Sequence, residues 1–214
     1  MIIKTGARSS PLSKAQFKEI QEEVQKFHPH LILEPVWAQS PGDRDKETSL
    51  RFLGKCDFFT RDLDLMLLEG NIRIAVHSAK DLPDPIPDGL SVVALTHGVD
   101  PRDSLVLREG ETLHTLKSGS RIGTSSLRRE EAVRQLRSDL VFSDLRGTIG
   151  DRLSLLEQRQ IDGVVIAEAA LIRLNLTHLN RSFLSGETTP LQGKLAIVAR
   201  ADDIEMKQMF HVLG

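Results

Sequence analysis

The hydrophobic residues of this chain repeatedly change their spacing, and that change restricts the fold more than any other feature. Short apolar runs typical of buried strands alternate with segments in which apolar residues recur every three or four positions, as on one face of a helix. The first pair is a predicted strand at Met1–Thr5 and a predicted helix with an apolar stripe from Phe17 to Phe27. Alternation at this spacing predicts an α/β protein with mostly parallel sheets.

The same two patterns continue along the rest of the chain. Further strands are predicted at Leu31–Ala38, Ile72–Val76, Ser104–Leu107, Arg121–Gly123, Leu140–Ser143, Gly163–Ala167 and Lys194–Ala199. Further helices are predicted along the stripe Phe59–Leu67, ended by Gly70, at Ser125–Arg137, at Thr148–Arg159 and from Asp202 onward. The stretch Gln39–Gly54 is polar and contains Pro41-Gly42, so we expect a long loop there.

The alternation breaks twice, near Thr96–Asp103 and near Ser185–Gly193, where glycine, proline and polar residues gather. Two breaks predict that one domain is inserted into another and that the last strand returns to the first sheet. We expect a first domain of residues 1–96 and 192–214 and an inserted domain of residues 100–188. Such an arrangement has two crossover segments and a cleft between the domains.

Composition argues against several classes of function. The formal net charge is −2 and aromatic residues make up 4% of the chain, which disfavours a nucleic-acid partner. No apolar run of about 20 residues and no signal-peptide pattern occur, so we expect no membrane partner. Cys56 is the one cysteine and cannot form an internal disulfide, which favours a reduced, cytoplasmic location.

The sequence motifs of common cofactors and metals are missing. No G-x-G-x-x-G follows the first predicted strand, as a dinucleotide site would require. Asp43, Asp45 and Glu47 alternate like the start of a calcium loop, but Thr48 stands where that loop needs glycine. The seven histidines show no zinc-like spacing, so we expect no metal.

Two polar segments follow predicted strands, where open α/β sheets bind their ligands. In TGARSSPL (5–12), Arg8 and the hydroxyl groups at a helix N-terminus suit a carboxylate or phosphate. Simple N-capping by Ser9 or Ser10 explains the same residues. In HSAKDLPD (77–84), Lys80 and Asp81 would place a cation and an acid at the mouth of a cleft, and an ordinary exposed turn is the alternative.

The third polar segment, GTSSLRR (123–129), gives the clearest physical sign of function. Arg128 and Arg129 stand in the predicted first turn of a helix, where the helix dipole disfavours cations. Each costs a few tenths of a kcal/mol there unless an anion lies between them and the helix end. Arg146, Arg152 and Arg173 follow at what we predict to be comparable strand ends. Together with Arg8 and Lys80 these arginines would line one anion-binding cleft, which implies a polycarboxylate ligand.

These segments resemble the hydroxymethylbilane synthase family, whose members are also called porphobilinogen deaminases. The resemblance is carried by GARSSPL (6–12), HSAKDLP (77–83), DPRD (100–103), GTSSLRR (123–129), LRGTIGDRL (145–153) and ALIRL (170–174). They occur in the family's order and at nearly its spacing, and they cover essentially the whole chain.

The resemblance implies two α/β domains of the periplasmic-binding-protein type with an active cleft between them. It implies a cytoplasmic, monomeric enzyme of tetrapyrrole (porphyrin and haem) biosynthesis. That enzyme joins four porphobilinogen units on a covalently held dipyrromethane cofactor and releases ammonia each time. Porphobilinogen carries an acetate and a propionate, which suits the arginines described above.

The resemblance also implies roles for single residues. Asp81 matches the catalytic aspartate, which would bind pyrrole N–H groups, stabilise the positive azafulvene formed as ammonia leaves, and move protons. The positions that match cofactor-binding residues are Ser78, Lys80, Thr124, Ser126, Arg128 and Arg129. The positions that match substrate-binding residues are Arg8, Ser10, Gln16, Arg146, Arg152 and Arg173.

The chain departs from the family in its cofactor tether. Family members hold dipyrromethane through a cysteine in a third, α+β domain, and no segment here resembles that cysteine-bearing loop, so we expect this domain to be absent. Cys56 falls on a loop lysine of the family and is a conceivable substitute tether, with an unremarkable loop thiol as the alternative.

Three interpretations of the whole chain therefore stay open. The first is an enzyme of the family, and the second is a non-catalytic homologue that binds polypyrroles or small anions. Asp81 favours the enzyme, because a pure carboxylate binder gains nothing from a further negative charge. The missing tether favours the binding protein, and the third interpretation is a fragment of a longer enzyme.

Overall fold

The computed structural model describes residues 1–45, 47–49, 51 and 56–213. The chain divides into two compact units. Unit 1 comprises Met1–Asp45, Gly54–Val99 and Leu191–Gly214, and unit 2 comprises Lys46–Leu53 and Asp100–Pro190.

Strands and helices alternate through both units. The strands are β1 (Ile2–Arg8), β2 (Ile32–Ala38), β3 (Ile74–Ser78), β4 (Leu90–Leu95), β5 (Asp103–Leu107), β6 (Arg121–Gly123), β7 (Val141–Ser143), β8 (Gly163–Ala167), β9 (Arg181–Phe183) and β10 (Leu195–Arg200). The helices are α1 (Pro11–Phe27), α2 (Pro41–Arg44), α3 (Arg61–Leu68), α4 (Leu127–Leu136), α5 (Ile149–Glu157), α6 (Glu168–Arg173) and α7 (Ile204–Phe210). Short 3-10 helices occur at Asp57–Phe59, Ala79–Asp81 and His211–Leu213.

Unit 1 is a five-stranded sheet in the order β2-β1-β3-β10-β4 with helices on both faces. On one face Phe17 and Ile20 of α1 pack against Ile74, and on the other Leu63 of α3 packs against Ala75. Burying each large apolar side chain contributes roughly 1.5–3 kcal/mol, which explains why the stripes of α1 and α3 turn inward. The last strand of the chain, β10, lies in this first sheet, as the two breaks in the sequence pattern predicted.

Unit 2 is a second five-stranded sheet, in the order β7-β6-β8-β5-β9. All five residues of β8 are buried, which accounts for its uninterrupted apolar sequence. Val133 of α4 packs against Ile122 of β6 and Leu105 of β5 in its core.

The prediction of mostly parallel sheets was wrong. In unit 1, β1 runs parallel to β2 and β3, but β10 runs antiparallel to β3 and β4. In unit 2, β6 runs parallel to β7 and β8, but β5 runs antiparallel to β8 and β9. The reversed strands β5 and β10 follow the points at residues 99–100 and 190–191 where the chain passes from one unit to the other, so they are not products of strand–helix–strand repeats.

The predicted end of the first strand at Thr5 was also wrong, because β1 continues through Arg8. Gly6 lies inside the strand, where an added Cβ would stand 2.4 Å from a terminal methyl group of Ile72 and 2.7 Å from one of Leu63. The glycine at this position serves close packing of α3 side chains on the sheet and does not end the strand.

Several other expected boundaries need correction. Gln39–Gly54 contains the helix α2, and residues 46, 50 and 52–54 of it lie outside the described residues. Strand β3 begins two residues later than predicted, so that His77 and Ser78 are its last residues. The sequence pattern did not predict β4, β9 or α6. Among the helices of the described residues, none is long and apolar enough to cross a membrane.

Candidate functional site

The predicted site residues of unit 1 gather at one edge of its sheet. β1 and β3 are parallel and end at Arg8 and Ser78, so their carboxyl ends lie at the same edge. β10 runs in the opposite direction and begins there, with Leu195 opposite Ser78. The sheet therefore brings Arg8, Ser78, the residues after Ser78 and the residues before Leu195 to one edge.

Arg8 has an acidic and an aromatic partner within unit 1. Its Nε donates to Oδ2 of Asp43 at 3.0 Å, its Nη2 donates to the other carboxylate oxygen, and its guanidinium lies 4.7 Å from the ring centroid of Phe59. Partial burial alone would raise the pKa of the Asp43 carboxyl, but the hydrogen bonds and charge of Arg8 hold that pKa below its ordinary value. Arg8 is thus fixed in place by a charge pair and a ring contact.

Ser10 and Gln16 belong to α1. Ser10 is the N-cap, and its Oγ accepts a hydrogen bond from the backbone N–H of Ser13 at 3.2 Å, with Pro11 at the first helical position. The capping explanation of this segment is therefore correct for Ser10. Gln16 is buried within the same helix.

Lys80 and Asp81 form the short 3-10 helix that follows Ser78. Nζ of Lys80 donates to Oε1 of the buried Gln192 at 3.1 Å, which links this helix to the segment before β10. Among the residues that the structure describes, no hydrogen bond or ion pair engages the half-buried Asp81 carboxylate. An anionic group is thus held at the sheet edge beside a cation.

His77 stands just before these residues and is itself buried. Continuing the pairing of Gly6 with Ala75 brings Arg8 beside His77 on the neighbouring strand. Burial, reinforced by the positive charge of Arg8, lowers the pKa of His77 to about 4. The imidazole is therefore neutral at pH 7 and adds no charge to this edge.

In unit 2 the GTSSLRR segment forms the end of β6 and the start of α4, as predicted. Ser126 is the N-cap and its Oγ accepts from the backbone N–H of Arg129, while the buried Thr124 accepts from the N–H of Ser126 at 3.2 Å. Ser125 bonds through its Oγ with the backbone of Leu145, and this contact joins the segment to the turn after β7. All three hydroxyl groups thus help to build the loop.

Arg128 and Arg129 share one buried carboxylate. Nη2 of Arg128 lies 2.5 Å from Oδ2 of Asp103, and Nε and Nη2 of Arg129 lie 3.0 and 2.6 Å from Oδ1. Asp103 is 2% exposed and begins β5, whose antiparallel direction brings it to the carboxyl ends of β6 and β8. The anion that the two arginines were expected to require is therefore partly supplied by the protein itself.

Two further arginines stand near this pair, and we call Arg128, Arg129, Arg146 and Arg152 the arginine cluster. Burial, followed by the positive charges of Arg129 and Arg146, lowers the pKa of Arg152 to about 10. Asp144 and Asp151 act in the opposite direction, but each has a smaller effect on this pKa than either arginine. The cluster is an electropositive site within a protein of net negative charge.

The expectation that Arg152 and Arg173 stand at strand ends was wrong. Arg152 lies in the first turns of α5, after the N-cap Thr148, and Arg173 is the last residue of α6. Arg146 alone follows a strand, in the turn after β7. A capping box formed by Thr148 and Asp151 starts α5 before Arg152, so that Arg152 lies inside the helix.

Several residues around these groups were not predicted from the sequence. Asp103 lies in the DPRD segment, to which no role was given, and Asp43 was considered only as a calcium ligand. Arg51 contacts the site in unit 2, where its Nη2 lies 3.1 Å from Oε2 of Glu130 and 3.4 Å from the carbonyl oxygen of Thr124. Of these residues, only Asp103 had a signal in the sequence, because two adjacent arginines in the first turn of a helix need an acidic partner.

Cys56 precedes the 3-10 helix Asp57–Phe59 and is half-buried. Residues 52–55 before it lie outside the described residues. Within the described part of the chain, no three His, Cys, Asp or Glu side chains are arranged to hold a metal ion.

The fold is similar to that of solved substrate-binding proteins and of a regulatory domain. The chain aligns with a periplasmic substrate-binding protein of an ABC transporter from Coxiella burnetii at a TM-score of 0.60 and 13% identity, covering 97% of this chain and 89% of that one. It aligns with the probable amino-acid ABC transporter extracellular-binding protein ytmK from Bacillus subtilis at 0.57 and 13%, covering 97% and 87%. For the reduced OxyR2 regulatory domain from Vibrio vulnificus the values are 0.53 and 14%, covering 98% and 93%. The fold is therefore α/β and periplasmic-binding-protein-like.

The chain also matches a family defined by sequence. Residues 3–208 match the model described as porphobilinogen deaminase, dipyromethane cofactor binding domain. The match includes Asp81, the arginine cluster and every other predicted site residue described above. This protein belongs to the porphobilinogen deaminase family.

Proposed function

We propose that this protein joins four porphobilinogen molecules into hydroxymethylbilane and releases ammonia, as a transferase of tetrapyrrole biosynthesis. The observation that carries the proposal is the arginine cluster, in which Arg128 and Arg129 share the buried carboxylate of Asp103, and the charges of Arg129 and Arg146 act on the neighbouring Arg152. Such an excess of fixed positive charge suits a substrate whose every unit carries two carboxylates.

The arginine cluster fits the dipyrromethane that the family implies. That group carries acetate and propionate side chains, which guanidinium groups bind through paired N–H donors. Nε of Arg128 is buried without a hydrogen-bond partner among the described residues, as expected of a donor reserved for a ligand. The residues that would hold the cofactor are Ser78, Lys80, Thr124, Ser126, Arg128 and Arg129. When bound, dipyrromethane supplies the pyrrole carbon to which the first porphobilinogen is joined.

Asp81 is the proposed catalytic residue. Its carboxylate has no protein partner in the described residues and can accept hydrogen bonds from the pyrrole N–H groups of porphobilinogen. As ammonia leaves, positive charge develops on the pyrrole, and a fixed carboxylate stabilises that charge more than it stabilises the neutral ring. Asp81 therefore lowers the barrier to loss of ammonia.

The residues proposed to bind substrate carboxylates are Arg8, Ser10, Gln16, Arg146, Arg152 and Arg173. Arg8 illustrates how such a residue is prepared, because its pair with Asp43 fixes the guanidinium before the ligand arrives. A fixed guanidinium loses less side-chain entropy on binding than a mobile one. Ser10 and Gln16 act through α1, as its cap and as a buried residue of its first turns.

The atoms of the reaction balance without an oxidant or a metal. The C–N bond of one aminomethyl group breaks and ammonia leaves with the electron pair. The methylene carbon then forms a C–C bond with the neighbouring pyrrole, which gives up the proton at that carbon. Release of the finished chain would break the bond between the cofactor pyrrole and the methylene carbon of the first unit, with water adding to that methylene carbon and a proton returning to the pyrrole. In sum, four porphobilinogen and one water yield hydroxymethylbilane and four ammonia.

The intact mass of the purified chain, before and after addition of porphobilinogen, tests the proposal. A gain of two pyrrole units that survives denaturation, followed by further gains of one unit each, is the expected result. A Cys56→Ser variant asks whether that thiol is the tether. The double variant Arg128→Gln/Arg129→Gln is expected to lose the cofactor, whereas Arg134→Gln, an exposed arginine of the same helix, is the matched control.

A bare polypeptide mass in both measurements, with no ammonia released, would overturn the proposal. Binding of porphobilinogen without ammonia release would favour the alternative, a homologue that binds polypyrroles or anions without catalysis. For the working enzyme we propose a monomer in the cytoplasm, where the thiol of Cys56 stays reduced.

A further inference from the structure

The DPRD segment contains no residue with an assigned catalytic or ligand-binding role, although the carboxylate of its last residue contacts two arginines of the arginine cluster. Asp103 is 2% exposed, and it stands at the first position of β5 opposite Ala167 of β8. Its carboxylate bonds with two guanidinium groups that approach from successive positions of α4. A buried carboxylate with two cationic partners needs an explanation, since one cation would neutralise it.

We propose that Asp103 is a positioning residue that holds Arg128 and Arg129 side by side for ligand carboxylates. This inference rests on the proposed function and concerns the same site. The three side chains together carry a formal charge of +1, so Asp103 fixes the pair without cancelling its attraction for an anion. The role follows from geometry, because two long side chains are immobilised by one rigid strand residue.

The contacts of each guanidinium show how it is oriented. Nη1 of Arg128 donates to the backbone carbonyl of Glu187 at 2.8 Å while its Nη2 binds Asp103, so two points fix the plane of the group. Arg129 turns its Nε and Nη2 edge toward Asp103. In both cases the contact with Asp103 decides which N–H groups of the guanidinium face this carboxylate. It thereby also decides which edge of the guanidinium faces away from it.

Electrostatics and positioning predict opposite results for Asp103→Asn. If Asp103 only reduced the charge of the site, its removal would add one positive charge and tighten the binding of a polycarboxylate. If Asp103 positions the arginines, the same change releases both guanidinium groups and weakens binding. Binding that weakens despite the higher positive charge is therefore the signature of positioning.

The probe is the free dipyrromethane tetra-acid, titrated into the full chain by calorimetry. We expect Asp103→Asn to raise its Kd about tenfold or more. Asp103→Glu keeps the charge but moves the carboxylate by one methylene, so it is expected to weaken binding as well. Asp139→Asn is the matched control, since Asp139 also pairs with an arginine of unit 2, Arg137, but outside the arginine cluster.

Tighter or unchanged binding in Asp103→Asn would overturn the positioning role. If that variant does not fold, as judged by circular dichroism, Asp103→Glu decides: wild-type Kd overturns the role, and a raised Kd supports it. Ammonia release by the wild-type chain is measured in parallel. If the wild-type chain turns over porphobilinogen but does not bind the tetra-acid, the positioning role alone fails; if it does neither, the proposed function fails with it.

Discussion

Lys80 and Gln192 are joined by a hydrogen bond from Nζ to Oε1 at 3.1 Å, although they stand 112 positions apart in the chain. The bond ties the 3-10 helix that carries Asp81 to the segment that leads into β10. It is formed because β10 runs antiparallel to β3 and so begins where β3 ends.

Replacing Gln192 by alanine is expected to loosen Lys80. The ammonium group would lose the buried acceptor that ties it to the segment before β10. We expect KM for porphobilinogen to rise about 5- to 10-fold with a smaller change in kcat, because binding is affected more than the chemical step. Gln208→Ala, an exposed residue of α7, is the control, and equal KM values for the two variants would contradict the role of this bond.

The pair formed by Arg8 and Asp43 is expected to contribute to stability in a pH-dependent manner. The pKa of Asp43 is lowered in the folded chain, so the contribution is present above the ordinary carboxyl pKa and is lost as pH falls through the folded value. Asp43→Asn should reduce the free energy of unfolding at pH 7 by roughly 1 to 2 kcal/mol.

Urea denaturation at neutral pH and below the ordinary carboxyl pKa measures this difference. The difference in the free energy of unfolding between the wild-type chain and Asp43→Asn should become smaller in acid. A gap that stays constant with pH would show that the asparagine acts through Ser40, whose hydroxyl and N–H also bond to Asp43.

Buried His77 is expected to make the protein less stable in mild acid. Its pKa is about 4 when folded, against about 6.5 when unfolded, so the unfolded state binds a proton first as pH falls. Stability is fully retained above about pH 6.5 and is lost toward pH 4, by on the order of 3 kcal/mol in all. His77→Gln should remove this dependence of the free energy of unfolding on pH between pH 7 and 5. The control His114→Gln, at an exposed position, should leave the dependence unchanged.

Two glycines are expected to respond to alanine with opposite signs. Gly6→Ala places a Cβ against packed methyl groups of Ile72 and Leu63 and should destabilise unit 1 by roughly 1–3 kcal/mol. Gly150→Ala in α5 meets no atom nearer than 3.7 Å and should stabilise the helix by up to about 1 kcal/mol. Thermal unfolding of the two variants gives the signs, and a destabilised Gly150→Ala would contradict this account of α5.

Much of the fold could be predicted from the sequence, because buried strands and helices place their apolar residues at regular spacings along the chain. The run 163–167 is apolar at each position and forms β8 with the predicted bounds, and Gly70 ends the α3 segment with φ +75°. Strand direction could not be predicted, because hydrophobic spacing is the same in parallel and antiparallel strands. β9 (RSF) was missed because its half-buried and exposed residues give no apolar pattern, whereas β4 (LSVVAL) carries an apolar run from which a strand could have been predicted.

The candidate site could be predicted less completely than the fold. The arginines at the start of α4 violate the preference of the helix dipole, which made them visible in the sequence. Their partner Asp103 lies 25 positions before Arg128 and became evident only when the antiparallel β5 brought it to the same edge. Pairing between distant residues depends on sheet order, which local sequence patterns do not contain.

The rate of ammonia release from porphobilinogen by Asp81→Asn, compared with the wild-type chain, tests the central claim most directly. Asparagine keeps the shape of the side chain but removes the negative charge that would stabilise the developing cation. We expect the rate to fall by about 100-fold or more, while the exposed Asp88→Asn retains the wild-type rate. A wild-type rate for Asp81→Asn, in a chain that does release ammonia, would contradict the assignment of Asp81 as the catalytic residue.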